Sequence, residues 1–303
     1  MKKQRITYAI AAFALASALL VTSCKDDEKK LPDIGGYGSA DEVGASNLLA
    51  HWSFDGNSTE QKSGTAPAKT ENATFSTGVK GQAVSLANGY LLYPTLTALS
   101  SANAIPSVTV SAWINTDVNG STASSVFALT QATSAQTDWN QGPINMYLET
   151  GRPTSTKDTL ALHSAFHTYS GGNYNVGGDN INDYGTRGTD FQTVIGANKW
   201  VHYVMVYDGA ASTIDLYANG VVVSNKNFRV RDNGGAPIGN LTLSTPTQVL
   251  IGGWPNTVTG YTNSSAQSWQ GLYTGQIDEV RVYSKALSAT DIGSLYQLEL
   301  AGR

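Results

Sequence analysis

Apolar and polar residues alternate in short runs along most of the chain, which is the pattern of β-strands with one buried face. In Ser107–Ile114, for example, apolar side chains occupy every second position. A predicted meander covers Lys199–Tyr207, Ser212–Ala218 and Val221–Asn225, with the hairpin signal Asn219-Gly220 between its last two strands. Short strands separated by Gly, Asn and Pro turns predict an all-β sandwich.

The last predicted strand, within Gly275–Ile292, carries an unusual carboxylate. Strict alternation places Asp278 on the same face as the two valines that follow it. If these valines face the core, the carboxylate points inward, where it needs a cation, a metal or several hydrogen-bond donors. The same stretch ends in a predicted short helix, because Ser288 followed by Asp291 forms a capping-box pattern.

A basic start followed by an apolar run identifies residues 1–23 as a signal peptide. The apolar run Ile10–Val21 is shorter than the roughly 20 residues that a membrane-spanning helix requires. The segment Val21-Thr22-Ser23-Cys24 resembles the bacterial lipobox, and this resemblance implies a covalent lipid on Cys24. The alternative is an incidental cysteine after a signal peptide. Two or more acyl chains would hold the protein stably on a membrane.

The residues after the cysteine carry a second address signal. Lys25-Asp26-Asp27-Glu28 resembles the surface-export signal of Bacteroidota lipoproteins, which implies an outer-membrane protein that faces the cell exterior. The alternative is a solvated, charged tether. Residues 24–46 contain charges, a proline and several glycines, and they predict a flexible linker. Residues 47–303 then form the globular domain.

Composition agrees with a β-rich domain and excludes some partners. The chain contains 31 glycines and 15 tyrosines, and only 14% of its residues are charged. Its net charge of −4 and the lack of a basic stripe argue against nucleic acid as a partner. A single cysteine excludes an intrachain disulfide framework and a cysteine-rich zinc site.

Six strand-like segments follow one another along the chain in a recognisable order. They are Ala50–Asn57 (AHWSFDGN), Ser107–Ile114 (SVTVSAWI), Trp200–Gly209 (WVHYVMVYDG), Ile214–Val223 (IDLYANGVVV), Val249–Gly253 (VLIGG) and Gly275–Ile292 (GQIDEVRVYSKALSATDI). In this order they resemble the LamG-like, concanavalin A-like jelly-roll domain of bacterial surface proteins. The resemblance implies two antiparallel sheets packed face to face, with one short C-terminal helix after the closing strand. It implies less about function, because this fold hosts enzymes, lectins and structural modules.

The resemblance also implies a structural calcium ion. In relatives of this fold, calcium often ties the first strand to the last, and the matching positions here are Asp55 and Asp278. Calcium takes six to eight oxygen ligands, which carboxylates, backbone carbonyls and water could supply. The alternative is that Asp278 accepts backbone N–H bonds and Asp55 begins a turn.

Loop residues offer the chemistry of a glycan site, in which aromatic rings contact apolar sugar faces and polar groups bind hydroxyls. The same residues could instead plug the end of the sandwich or form a protein interface. The predicted loop Gly253–Gly271 offers Trp254, Asn256, Tyr261, Asn263 and Trp269, the predicted loop Tyr169–Asp190 offers Tyr174, Asp183 and Tyr184, and Trp139 lies in a third loop.

The sequence predicts no catalytic residues. The paired carboxylates of glycan-cleaving relatives are missing, since Asp278 and Glu279 are adjacent and point to opposite faces. His163 and His167 would lie about 13 Å apart on a strand, too far to share a metal. The sequence therefore predicts a non-catalytic surface lipoprotein that binds glycan or glycopeptide. The alternatives are an accessory subunit docked on a SusC/SusD-type outer-membrane nutrient importer and, third, a glycan hydrolase.

Overall fold

The computed structural model describes residues 31–120, 122–150, 158–182 and 192–303. The predicted signal peptide, Cys24, Asp183 and Tyr184 lie outside these ranges. In the described parts of the chain, no helix is both long and apolar enough to cross a membrane. Residues Asp33–Arg303 form one compact unit.

The described ranges are built from strands, one α-helix and short 3₁₀ segments. The strands are β1 (Leu48–Trp52), β2 (Lys69–Thr77), β3 (Gln82–Leu92), β4 (Val108–Thr116), β5 (Ala123–Gln131), β6 (Ile144–Thr150), β7 (Thr159–Ser170), β8 (Asn173–Ile181), β9 (Val194–Ile195), β10 (Val201–Asp208), β11 (Thr213–Ala218), β12 (Val221–Val222), β13 (Asp232–Asn233), β14 (Ala236–Pro237), β15 (Thr247–Ile251), β16 (Gln270–Gly271) and β17 (Tyr273–Tyr283). The helix is α1 (Ala289–Leu300), and the 3₁₀ segments are Ala40–Glu42, Ala45–Asn47, Thr97–Leu99 and Lys226–Phe228.

Strands β13 and β14 form a separate two-stranded sheet, and the other fifteen strands form one curled sheet whose two halves face each other. Its order is β12-β11-β10-β4-β17-β3-β15-β5-β6-β7-β8, with β1 beside β17 and β2 beside β3. All pairs in this order are antiparallel. The curl brings β7 onto β10, where the Phe166 and Tyr207 rings lie 4.3 Å apart and the Ser164 and Tyr203 hydroxyls lie 2.7 Å apart. This arrangement confirms the predicted all-β jelly roll with one short C-terminal helix.

A β-bulge in β17 corrects the predicted direction of Asp278. Ile277 and Val280 are both buried in the core between the two halves of the sheet. In a regular strand, residues three positions apart point to opposite faces. Glu279 has a φ of +45°, and the pairing with β4 shifts between Asp278 and Arg281. Because the bulge resets the alternation, Asp278 does not share the core face of the valines.

Helix α1 begins as the sequence predicts. Ser288 Oγ accepts a hydrogen bond from Asp291 N at 3.1 Å, and Asp291 Oδ2 accepts one from Ser288 N at 3.3 Å. The helix buries one face, including Ile292 and Leu295, against the outer side of β10 and β11. It therefore covers the half of the sheet that carries β10, β4 and β17.

The part of the predicted linker that the structure describes is packed against α1. Ala40 and Val43 are buried in the same cluster as the helix, and Ala40 N donates to Arg303 O at 3.2 Å. Tyr37 donates its hydroxyl hydrogen bond to Asp291 Oδ1 at 2.7 Å. This differs from the flexible linker expected up to residue 46, because two apolar side chains three residues apart give this segment a face to bury.

Most of the predicted loop Tyr169–Asp190 is instead a β-hairpin. Strand β7 continues to Ser170, the chain turns at Gly171-Gly172, and β8 returns beside it. Both glycines have positive φ, +60° and +92°, which glycine adopts without steric cost. The strand β8 lacks the apolar alternation that identifies a strand from sequence, because its sequence is polar and contains two adjacent glycines.

A buried charge network joins β17 to the helix and to the N-terminal segment. The Arg281 guanidinium donates to Glu279 Oε2 at 2.6 Å, to Glu299 Oε1 at 2.8 Å and to Asp41 Oδ1 at 2.8 Å. Burial raises the pKa of Glu279, but the hydrogen bond from His51 and the charge of Arg281 outweigh it and hold that pKa below its usual range. In contrast, burial raises the pKa of Glu299 to about 8.

Candidate functional site

Two loops that are far apart in the sequence bring three tryptophans together. Trp139 lies between β5 and β6, whereas Trp254 and Trp269 lie between β15 and β16. Their ring centroids are 5.5 Å (Trp139 to Trp254), 5.3 Å (Trp139 to Trp269) and 4.9 Å (Trp254 to Trp269) apart. The rings are nearly perpendicular, which is a favourable edge-to-face arrangement. The structure therefore brings two of the three predicted aromatic loops to one place.

Two strand residues extend this group, and together the five side chains Trp139, Trp254, Trp269, Tyr147 and His163 are called the aromatic cluster. The Tyr147 ring lies 5.0 Å from Trp254 and 5.8 Å from Trp139. His163 lies opposite Tyr147 on the neighbouring strand, and the two rings stack at 4.5 Å with an angle of 13°.

A carboxylate adjoins the cluster. Glu149 Oε2 lies 3.2 Å from His163 Nε2. Glu149 and Tyr147 alternate in β6 with Met146 and Leu148, which are buried in the core. Sequence reasoning missed Tyr147, Glu149 and His163 as site residues. Their alternation with apolar core residues in β6 and β7 is the sequence pattern that could have identified them as residues of the outer face of the sheet.

The members of the cluster differ in exposure. Trp254 is only 1% exposed, and its Nε1 donates to Ala123 O at 3.0 Å. Trp139, Trp269 and Tyr147 are half-buried. Trp254 therefore forms the base of the cluster, and the other three present parts of their rings to solvent.

Side-chain hydrogen bonds fix the loop that carries Trp139. Gln136 is fully buried, and its amide accepts from Gln131 N at 2.9 Å and donates to Asp138 O at 2.7 Å. From β6, Asn145 Nδ2 donates to Trp139 O at 3.5 Å. Because these bonds hold backbone on both sides of the ring, the position of Trp139 is set before any ligand binds.

Other residues predicted as ligand contacts have internal partners. Asn256 is 3% exposed, accepts from Val258 N at 2.9 Å and donates to Gln270 Oε1 at 2.7 Å. Tyr261 is fully buried, and its hydroxyl lies 2.7 Å from Thr130 Oγ1. Both side chains support the loop from inside.

Tyr174 lies away from the aromatic cluster. It packs edge to face on Tyr169 at 5.2 Å, and its hydroxyl accepts from Ser244 N at 2.6 Å. Burial raises the pKa of Tyr174 to about 12. The structure therefore does not bring the third predicted aromatic loop to the cluster through this residue.

The two predicted calcium ligands bind backbone amides of one turn. Asp278 Oδ2 accepts from Val79 N at 2.8 Å and from Lys80 N at 3.1 Å, while its Oδ1 accepts from Glu279 N at 2.9 Å. Asp55 Oδ1 accepts from Gln82 N at 2.8 Å. In the described ranges, no group of three or more His, Cys, Asp or Glu side chains could hold a metal. Backbone amides of this turn thus provide hydrogen bonds to both carboxylates without a metal, which favours the alternative interpretation, and the calcium site stays a prediction.

Chelation of divalent ions is therefore expected to leave the melting temperature unchanged. Backbone N–H groups already donate hydrogen bonds to both carboxylates, so no stabilising contact is lost when divalent ions are removed. Thermal unfolding, followed by circular dichroism, measures this effect when the melting temperature in about 5 mM EGTA is compared with that in excess calcium. A lower melting temperature in EGTA that calcium restores would contradict it and support the calcium prediction.

Comparison with known families identifies the fold. The laminin G family model described as "Concanavalin A-like lectin/glucanases superfamily" matches residues 86–293, well over half of the chain. The chain belongs to this superfamily. A search of curated proteins finds no match.

Three solved structures share the fold at low sequence identity. The binding domain of Paraclostridial Mosquitocidal Protein 1 has a TM-score of 0.54 and 12% identity, over 84% of this chain and 52% of that one. The ligand-binding domain of botulinum neurotoxin serotype D, in complex with N-acetylneuraminic acid, has a TM-score of 0.51 and 14% identity, over 85% and 52%. This chain thus spans about half the length of the two toxin domains.

A third structure is covered almost completely. It is domain 4 of AbnA, a GH43 extracellular arabinanase from Geobacillus stearothermophilus, in complex with arabinotriose. The TM-score is 0.50 at 18% identity, over 83% of this chain and 98% of that domain. At these identities the likeness to solved structures shows the fold alone.

Proposed function

We propose that this protein is a non-catalytic, surface-exposed lipoprotein that binds a glycan or glycopeptide through the aromatic cluster. The observation that carries the proposal is the convergence of Trp139, Trp269 and Tyr147 around the buried Trp254. Their partly exposed rings can contact the apolar faces of a sugar, and Glu149 can accept hydrogen bonds from its hydroxyls. The lectin-like fold supports this proposal.

The arrangement favours a binding surface over a simple plug of the sandwich end. Trp254 alone fills the buried position, and its polar atom is already satisfied. Trp139 and Trp269 remain half-buried above it, although their loops are held by specific hydrogen bonds. Exposed aromatic rings on a rigid backbone lose little conformational entropy when a ligand binds.

Alanine substitution of Trp269 or Tyr147 is expected to weaken glycan binding at least about tenfold, since each removes a central aromatic contact. A glycan array that includes arabinotriose and sialyl-oligosaccharides identifies the best-bound glycan, and calorimetric titration with that glycan measures Kd. The control is Tyr296→Ala, since Tyr296 is a half-buried aromatic residue of α1 that stacks on Trp113. Equal Kd values for the wild type and both cluster variants would contradict the proposal, as would the absence of any bound glycan.

The proposal includes the absence of catalysis and two features that rest on the sequence. Turnover of any array glycan by the purified protein would overturn the non-catalytic function in favour of a hydrolase.

The lipid on Cys24 and the outward-facing position on the outer membrane rest on the lipobox-like and export-like segments. Docking on a nutrient importer stays the alternative, and co-purification with a transporter in mild detergent would support it.

A further inference from the structure

Hydrogen bonds join the loop of Trp269 to the loop of Trp139 outside the ring contacts. Asn263, an exposed residue of the first loop, donates from Nδ2 to Ser134 O of the second at 2.7 Å. The neighbouring Thr262 N donates to Thr133 O at 3.1 Å. Thr133 N in turn donates to Gln248 Oε1 on β15 at 2.9 Å. The two loops are thus connected to each other and to the sheet below them.

We propose that Asn263 is a positioning residue of the aromatic cluster rather than a ligand contact. Its amide hydrogen bond fixes the loop of Trp139 relative to the loop of Trp269, so that the two rings form one surface. The effect on glycan affinity rests on the proposed function, whereas the effect on the rings does not. This role differs from the ligand-binding role that the residue type alone suggests.

The location of the bond explains why it can act through the rings. Ser134 lies in the first part of the loop between β5 and β6. The Gln136 hydrogen bonds stay within this part of the chain and do not connect it to the loop of Trp269. The hydrogen bond from the Asn263 side chain joins the two loops near their exposed ends. Without it, the two loops keep the backbone bond from Thr262 to Thr133 and the ring contacts but lose this outer connection. The rings can then shift relative to each other, and a ligand must order them again when it binds.

Three variants test this role. Asn263→Ala removes the donor, and Asn263→Asp keeps the size of the side chain but places a carboxylate against the Ser134 carbonyl, so its effect should be larger. Ser265→Ala is the matched control, since Ser265 is an exposed residue of the same loop. Both substituted positions are exposed, and we expect the urea midpoint of each variant to stay within experimental error of the wild type.

The first readout needs no ligand. Near-ultraviolet circular dichroism reports the packing of the tryptophan rings, and acrylamide quenching reports their access to solvent. We expect a changed spectrum and stronger quenching for Asn263→Ala and Asn263→Asp, and wild-type behaviour for Ser265→Ala. Unchanged spectra and quenching in both Asn263 variants would overturn the positioning role, whether or not the protein binds glycan.

The second readout is the Kd of the array glycan that the wild type binds best. We expect binding to be about three- to tenfold weaker for Asn263→Ala, because the loops must be ordered on binding. If the spectra change but Kd does not, Asn263 positions the rings without serving binding, and the part of the inference that concerns affinity is wrong. If the wild type binds no glycan, the proposed function fails, and the ligand-free readout alone decides the positioning role.

Discussion

Replacing Arg281 with methionine is expected to lower the free energy of unfolding by about 3–5 kcal/mol, the usual cost of removing one partner from a buried ion pair. The guanidinium is fully buried and contacts three carboxylates, of which those of Glu279 and Glu299 are also fully buried. Methionine fills a similar volume but supplies no charge. The Glu279 carboxylate then stays buried without its main cation, and the N-terminal segment loses its link through Asp41.

Urea unfolding at pH 7, followed by circular dichroism, measures this loss. The control is Arg229→Met, because Arg229 pairs with Asp215 at 2.6 Å but its side chain is 48% exposed, and such a pair contributes at most about 1 kcal/mol. Adding Glu279→Gln to Arg281→Met should restore part of the stability, since it removes the unpaired charge. A loss below about 1 kcal/mol for Arg281→Met would show that the network is not needed for stability.

Replacing His202 is expected to reduce the fall in the free energy of unfolding as the pH is lowered from 7 to 4. Burial, followed by the nearby charge of Arg281, lowers the pKa of His202 from 6.5 to about 3. The unfolded chain therefore binds a proton near pH 6.5, whereas the folded chain does not bind it until about pH 3. Stability that is present above pH 6.5 is lost as the pH falls through this window, at up to about 1.4 kcal/mol per pH unit.

The groups around His202 make its neutral form the preferred one. The Trp113 ring lies 5.1 Å away and the Tyr296 ring 6.0 Å away, so two faces of the imidazole contact aromatic rings. Glu299 Oε2 lies 3.5 Å from His202 Nε2, but this carboxyl already accepts hydrogen bonds from Arg281 Nε and from Trp113 Nε1, each at 2.8 Å.

Unfolding free energies between pH 7 and pH 4 measure the effect. Both His202→Phe and His202→Gln should show a shallower fall than the wild type, whatever their stability at pH 7. The two variants differ in packing and polarity but share the loss of the titrating group. Slopes equal to that of the wild type in both would assign the acid sensitivity to other groups, such as His167, whose pKa burial lowers to about 4.

Local patterns predicted much of this fold. Apolar alternation located β4 and the β10–β11 hairpin, and the Ser288 and Asp291 pair located the start of α1. These features depend on residues close together in the sequence, where side-chain periodicity and capping chemistry act. The bulge at Glu279 could not be predicted in this way, because an alternating sequence contains no mark of a positive φ at a charged residue.

The candidate site was predicted in its parts but not in its arrangement. Trp139, Trp254 and Trp269 were chosen for their residue type and loop position, yet more than one hundred residues separate the two loops. Only the register of the sheet brings these loops together. Tyr147 and His163 were missed because strand residues on an outer face have the same pattern whether they meet solvent or a loop.

The position of β17 has a consequence for how the chain folds. This last strand lies in the middle of the sheet, between β3 and β4, and also pairs with β1. The centre of the sheet therefore cannot form until β17 has left the ribosome. Contacts between the start and the end of a chain close slowly, because a long loop must be ordered first. A nascent chain of this protein thus cannot complete its sheet before β17 is available to pair.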